Sequence, residues 1–191
     1  MRKDDILQSS LVLFANQGFF GTSMDDIAKA VGIKKGSLYS HYAGKEEIFT
    51  AVFDAIVAGY AQFICKLTDY DEETNCSNKL AEIFTGYVKH CKDNVEMVFW
   101  DRYFYYPPDY LKDYILSKTQ EIEAFFLQKI TRIIEDGVKK GGIKNSDPRD
   151  VALAFYYMMI GFAMTVRFYD HKDIEPDILS CISVFLDGIK P

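Results

Sequence analysis

The sequence predicts an all-α protein, in which an N-terminal three-helix domain over residues 1–47 is joined by a continuous helix to a larger helical domain over residues 48–191. Two observations carry this. Apolar residues recur at spacings of three and four along most of the chain, as in Leu7, Leu11 and Phe14 or Ile83, Tyr87 and Cys91. Helix-start and helix-stop signals also fall between these runs: Ser23 before Asp26, Gly18, Gly32, Gly141-Gly142, and Asp147-Pro148.

The first helix reads from Asp4 to Gln17, with Gly18 just past its end. The second opens on a capping box, in which the Ser23 hydroxyl accepts from the Asp26 amide and the Asp26 carboxylate reaches back to the cap. Ile27, Ala30 and Val31 share its apolar face, and Gly32 suits a sharp reversal before Ile33 returns to the core. On the third helix, Leu38 and Tyr42 lie four positions apart and face inward. That leaves Gly36, Ser37, Tyr39 and Ser40 facing out, and two helices about a glycine turn with an exposed polar face form a helix-turn-helix suited to the major groove of DNA. Gly36 keeps no side chain between backbone and DNA, while Ser37, Tyr39 and Ser40 offer hydroxyls to phosphates or base edges. Lys34, Lys35, His41 and Lys45 surround them, and no acidic residue occurs between Asp26 and Glu46. The chain as a whole has a formal charge of −6; residues 1–47 carry six Lys/Arg and six Asp/Glu, so the acidic excess lies beyond them.

Gly18, Thr22-Ser23, Ile27-Ala28-Lys29-Ala30-Val31-Gly32-Ile33, Lys35-Gly36-Ser37-Leu38-Tyr39-Ser40-His41-Tyr42 and Lys45-Glu46 together resemble the signature of the tetracycline-repressor (TetR) family. The resemblance covers the first quarter of the chain. It implies a homodimeric transcriptional regulator with a larger helical domain that binds an effector and forms the dimer. It also adds Thr22, Ser23 and Met24 to the candidate DNA-binding residues Lys34, Lys35, Gly36, Ser37, Tyr39, Ser40, His41 and Lys45. Met24 departs from relatives that place a polar or basic residue there, which leaves base preference at that point open.

A long apolar-patterned helix continues from Lys45 to about Lys66, without a Pro/Gly-rich linker, and residues 69–77 read as a loop. A further helix covers Asn78 to Asn94. The aromatic-dense stretch Val95–Pro108 ends at two prolines, and a helical pattern, with room for one break, runs from roughly Asp109 to Lys140. Tyr87, Glu96, Trp100, Asp101, Tyr103, Phe104, Glu123, Phe126 and Met159 are the expected lining of an effector cavity. The ligand would be small and hydrophobic, and the carboxylates of Glu96, Asp101 and Glu123 would suit a lipophilic cation.

Asp147 caps a helix with Pro148 at its first position, and Val151–Val166 is nearly all apolar yet short for a membrane span. Its stripe Ala152, Tyr156, Met159, Ala163 and Val166, with Ile178, Ile182, Phe185 and Ile189 of the last helix, is the expected dimer interface, built as four helices, two from each chain. Cys65, Cys76, Cys91 and Cys181 show no metal-ligand spacing, Met1–Asp5 is too polar to open a secretory leader, and a cytoplasmic setting is expected. No phosphate loop, nucleophile elbow or zinc motif points to an enzyme, and no cofactor is expected. The expected partners are double-stranded operator DNA, a second copy of the chain and the effector. The other reading keeps the fold as a ligand-binding protein that activates transcription or has lost operator binding.

Overall fold

The computed structural model describes residues 3–71, 73–92, 94–168 and 173–191, and these contain nine α-helices, one 3-10 turn and no strand. The helices are α1 (Lys3–Gly21), α2 (Met24–Val31), α3 (Lys35–Tyr39), α4 (Lys45–Leu67), α5 (Cys76–Cys91), α6 (Val95–Tyr105), α7 (Lys112–Lys139), α8 (Pro148–Phe168) and α9 (Glu175–Ile189), with the 3-10 turn at Asp109–Leu111. They group into two compact units, residues 1–61 with 94–120 and residues 62–93 with 121–191. The boundary expected after residue 47 closes the helix-turn-helix, but the packing unit around it also takes in most of α4, all of α6 and the first turns of α7.

In the first unit, α1 buries Ile6, Leu11, Phe14 and Ala15 and packs against α2 and α6. It does not stop at Gln17 as the sequence suggests. Gly18 breaks it at φ 78°, ψ 168°, a conformation open to little but glycine, and helical turns resume as far as Gly21. Such a break strips helix carbonyls of their partners, and side chains replace them. The Tyr103 hydroxyl donates to the Phe14 carbonyl (3.1 Å), Arg102 Nη2 to Asn16 (3.3 Å), and Thr22 Oγ1 to Gly18 (2.8 Å).

Phe49 of α4 sits at the centre of this unit and is fully buried. Its ring lies 4.7 Å from Tyr103 and 5.4 Å from each of Phe14, Phe19 and Phe99. α1, α4 and α6 therefore meet on one aromatic core, in edge-on and tilted ring geometries that favour contact beyond plain burial. Ser10 is also fully buried, and its hydroxyl has no hydrogen-bond partner. An orphaned buried hydroxyl is destabilising, so Ser10→Ala is expected to leave stability unchanged or raise it by up to about 1 kcal/mol. Thermal unfolding checks this; a clear drop in Tm would mean the hydroxyl has a partner in solution.

In the second unit, α5 packs against α8 and α9. Asn75 caps α5 by accepting from the Asn78 amide (3.1 Å), so the helix starts two residues earlier than its apolar pattern indicates. Phe84 meets Phe155 and Phe162 at 6.2 and 5.5 Å, and Phe126 bridges Tyr87 and Tyr156 at 5.7 and 5.8 Å. Asp147 Oδ1 accepts from the Arg149 amide (2.8 Å) and opens α8, which runs to Phe168. At 23 and 21 residues, α4 and α8 have the length and apolarity of a membrane span, as core helices of helical proteins also do.

The expected dimer stripe is corrected here. Ala152, Tyr156, Met159, Ala163, Val166, Ile178, Ile182 and Ile189 are all buried within the single chain, and Phe185 is half-buried with its ring 5.3 Å from Phe155. The most apolar stripe went to the protomer's own core, because α5 needs an apolar partner for its wide apolar face. α8 and α9 leave other residues exposed: Ala154, Tyr157, Gly161 and Thr165 on α8, and Leu179, Ser183 and Val184 on α9. Leu179 and Val184 are 62% and 75% exposed.

Candidate nucleic-acid interface

The capping box at the start of α2 is formed in full. The Asp26 amide donates to Ser23 Oγ (3.2 Å), while Asp26 Oδ2 accepts from the Ser23 amide (2.9 Å) and hydroxyl (2.5 Å). These bonds hold the Asp26 carboxyl below its ordinary range. At the other end Gly32 takes the left-handed conformation (φ 78°, ψ 32°), and the Ile33 amide donates to the Ala28 carbonyl (2.9 Å). The turn therefore aims α3 by backbone geometry, and no side chain caps α3 itself.

α3 is five residues long and anchored by Leu38, which is fully buried, with Tyr42 close behind it at 6% exposure. Lys34, Lys35, Gly36, Ser37, Tyr39 and Ser40 are all exposed on the opposite side, and His41 is half-buried. Tyr39 shows half of its surface to solvent. The Ser40 hydroxyl donates to the Ser37 carbonyl (2.7 Å), which fixes its rotamer and leaves its lone pairs outward. Ser23 is exposed as well, at the N-terminus of α2.

Three residues from the expected set sit elsewhere. Thr22 is buried and spends its hydroxyl on the Gly18 carbonyl. Met24 is buried in the aromatic core of the first unit, which explains an apolar residue at that position. Lys45 points its ammonium at the Phe19 and Thr22 carbonyls (2.6 and 2.7 Å) and over the Phe19 ring (4.2 Å). Spacing along a helix cannot reveal this, because the partners lie more than twenty residues away.

The nine residues expected to line an effector cavity divide between the units. Glu96, Trp100, Asp101, Tyr103 and Phe104 belong to the first, and Tyr87, Glu123, Phe126 and Met159 to the second. Tyr103, Tyr87, Phe126 and Met159 are buried core residues, and Phe104 is about half exposed. Glu123 accepts from the Tyr157 hydroxyl (3.1 Å). In the first unit Trp100 is half-buried and stacks on Phe53 (5.5 Å, 19°), with Tyr60 at 5.9 Å. Glu96 lies one helical turn before it, and burial pushes the Glu96 carboxyl above the usual range. The second unit carries clefts at residues absent from the expected set: one of about 310 Å³ beside Cys65, Tyr70, Lys129 and Arg132, and one of about 500 Å³ between α7 and the start of α8. His90 stacks on Phe63 at 3.7 Å, and Cys91 is buried.

A capped α2, a left-handed glycine turn and a short third helix with an exposed polar face define a helix-turn-helix protein of all-α fold. The profile of bacterial regulatory proteins of the tetR family matches residues 6–52. Over 47 residues the chain is 53% identical to the negative transcriptional regulator IcaR of the biofilm operon icaADBC of Staphylococcus epidermidis, a match spanning a quarter of each chain. It is 26% identical to the transcriptional repressor KstR2 of Rhodococcus jostii, with 98% of this chain and 91% of the relative covered. Among solved structures, a regulatory protein of the tetR family from Rhodococcus superposes with a TM-score of 0.72 at 20% identity, covering 100% of this chain and 98% of the other. A TetR-family regulator from Cytophaga hutchinsonii does so with 0.74 at 17% identity, covering 98% and 94%. Residues 6–52 thus match the tetR-family model, and over nearly its whole length the chain is similar to TetR-family bacterial transcriptional regulators. Each of these relatives is named a regulator and none an enzyme.

Proposed function

We propose that the protein is a cytoplasmic, homodimeric repressor that reads a near-palindromic operator through α3 and is released by a small hydrophobic effector. The observation that carries the reading is the exposed row Lys34, Lys35, Gly36, Ser37, Tyr39 and Ser40, presented by a turn whose geometry is set by Ser23, Asp26 and Gly32. Two such helices in successive major grooves would stand about 34 Å apart. The names of the two relatives, one a negative regulator and one a repressor, favour repression over activation.

The dimer reading moves to exposed residues of α8 and α9, among them Ala154, Tyr157 and Gly161 on α8 and Leu179 and Val184 on α9. A symmetric pairing of these residues would bury large apolar side chains that the protomer leaves in water. For the effector, Trp100 with Tyr60 and Phe53 offers an aromatic wall, and Glu96 a carboxylate on the same face of α6. A cation placed there would restore the charge that burial disfavours at Glu96. An effector that binds the DNA-incompetent state tenfold more tightly supplies about 1.4 kcal/mol of coupling.

The test is a mobility-shift titration of the protein on its own upstream intergenic DNA against scrambled competitor, at several salt concentrations. A competitor-resistant, salt-sensitive shift is expected, and loss of the shift to scrambled DNA would refute sequence-specific binding. Tyr39→Ala is expected to weaken the specific shift about tenfold, or 1.4 kcal/mol, with dimer mass and helix content unchanged. Unchanged affinity would remove Tyr39 from the DNA surface.

A further inference from the structure

Lys45 opens α4, and its side chain reaches back to the last turn of α1 and to Thr22 just after it. One nitrogen serves two backbone carbonyls, Phe19 O at 2.6 Å and Thr22 O at 2.7 Å, while lying 4.2 Å from the centre of the Phe19 ring. Those carbonyls flank the short helical turn that follows the break at Gly18, and Ser23, the cap of α2, is the next residue. The Thr22 hydroxyl (to Gly18 O, 2.8 Å) and the buried Phe19 ring also hold this turn, but the backbone bond across it, Thr22 N to Phe19 O, is a long 3.4 Å, and Phe20 is 79% exposed. Charge-assisted bonds to neutral carbonyls are the strong kind, and an ammonium has three protons to give. Two protons go to the carbonyls, and the ring takes the face between them.

We infer that Lys45 is a positioning residue for the DNA reader: its ammonium ties the N-terminus of α4 to the turn before α2, and so sets where Ser23 and the α2 N-terminus stand, instead of binding a phosphate. This rests on the operator-binding reading above. A phosphate oxygen competing for the same nitrogen would have to release two carbonyls in a part-buried site, whereas the exposed ammonium groups of Lys34 and Lys35 are free of that cost. The positive charge of Lys45 is thus used inside the protein, and the exposed cations beside the polar face of α3 are Lys34 and Lys35.

The two roles separate by salt. Each phosphate contact adds about 0.9 to the slope of log affinity against log salt concentration. Lys45→Met keeps the apolar stem over Phe19 and removes the ammonium; it is expected to weaken operator binding about tenfold with a slope parallel to that of the wild type. Lys34→Met is the reference, and its slope should fall by about 0.9 per subunit, or about 1.8 for a dimer on its operator. Lys45→Arg keeps the charge, but its planar fork cannot centre one nitrogen between both carbonyls. It too should lose affinity severalfold, and it stands in should Lys45→Met fail to fold. Amide hydrogen exchange of the DNA-free protein is the second readout, with Thr22, Ser23 and Met24 expected to exchange at least several times faster in Lys45→Met. A slope that falls with Lys45→Met, full affinity in Lys45→Arg, or unchanged exchange at these amides overturns the assignment. If the wild-type protein binds no operator, the operator reading fails by itself, and the exchange measurement still decides whether Lys45 holds the turn.

Discussion

Phe49→Ala is expected to lower the unfolding free energy by about 3–5 kcal/mol. The side chain is fully buried, and its ring touches rings from three helices: Phe14 and Phe19 of α1, Phe53 within α4, and Phe99 and Tyr103 of α6. Truncation removes the apolar burial and leaves a cavity, and the aromatic neighbours are too rigid to collapse into it. In a chain of this size the loss corresponds to a fall in Tm of roughly 10 °C. Calorimetry or far-ultraviolet dichroism checks it. A loss below about 1 kcal/mol would mean that α1, α4 and α6 do not meet on Phe49 in solution.

The second large effect concerns assembly. Leu179→Asp places a charge on the exposed face of α9, where Leu179 is 62% exposed in the protomer. The fold should tolerate it, because no buried group is displaced. If that face is the dimer interface, each symmetric pair would bury two unpaired carboxylates, and the dimer should dissociate. Sedimentation equilibrium should report monomer mass with unchanged helix content. Operator affinity should fall about a hundredfold, since the second half-site is then no longer bound at high effective concentration. A dimer that survives Leu179→Asp would place the interface elsewhere. Met159→Ala is the contrast, because Met159 is fully buried within the chain and its truncation should destabilise the protomer before it affects assembly.

The elements around the helix-turn-helix were legible in the sequence because their signals are local: Ser23 and Asp26 lie three residues apart, Gly32 needs a left-handed φ, and Leu38 and Tyr42 mark one side of a short helix. The start of α8 at Asp147-Pro148 and the end of α7 before Gly141 follow from the same kind of signal. Gly18 was half legible. Its position marks a break, but that the chain would resume helical turns after it depends on Tyr103 and Arg102, which arrive from more than eighty residues away to satisfy the carbonyls of α1.

The candidate site divides along the same line. Periodicity places Gly36, Ser37, Tyr39 and Ser40 on the outside of α3, since an apolar anchor on one side of a helix dictates the other. It does not say which cation remains free. Lys45 reads as one more basic residue beside the groove until the carbonyls of Phe19 and Thr22 are brought to it. Thr22 and Met24 carry family positions, yet a hydroxyl bond to Gly18 and the aromatic core withdraw their side chains from the surface.

α8 makes the same point for assembly. A helix that is apolar on nearly every side tells how much surface must be covered, and the sequence alone determined that much, along with the helical class, the order of elements and the helix-turn-helix. Which stripe faced α5 and which faced water was decided only when α5, α8 and α9 packed. The more apolar stripe also fills the space between neighbouring helices, and burial of Ala152, Tyr156, Met159 and Ala163 left Tyr157 and Gly161 outside. Local signals act through backbone conformation over a few residues, while the choice among apolar faces is a property of close packing between segments far apart in the chain.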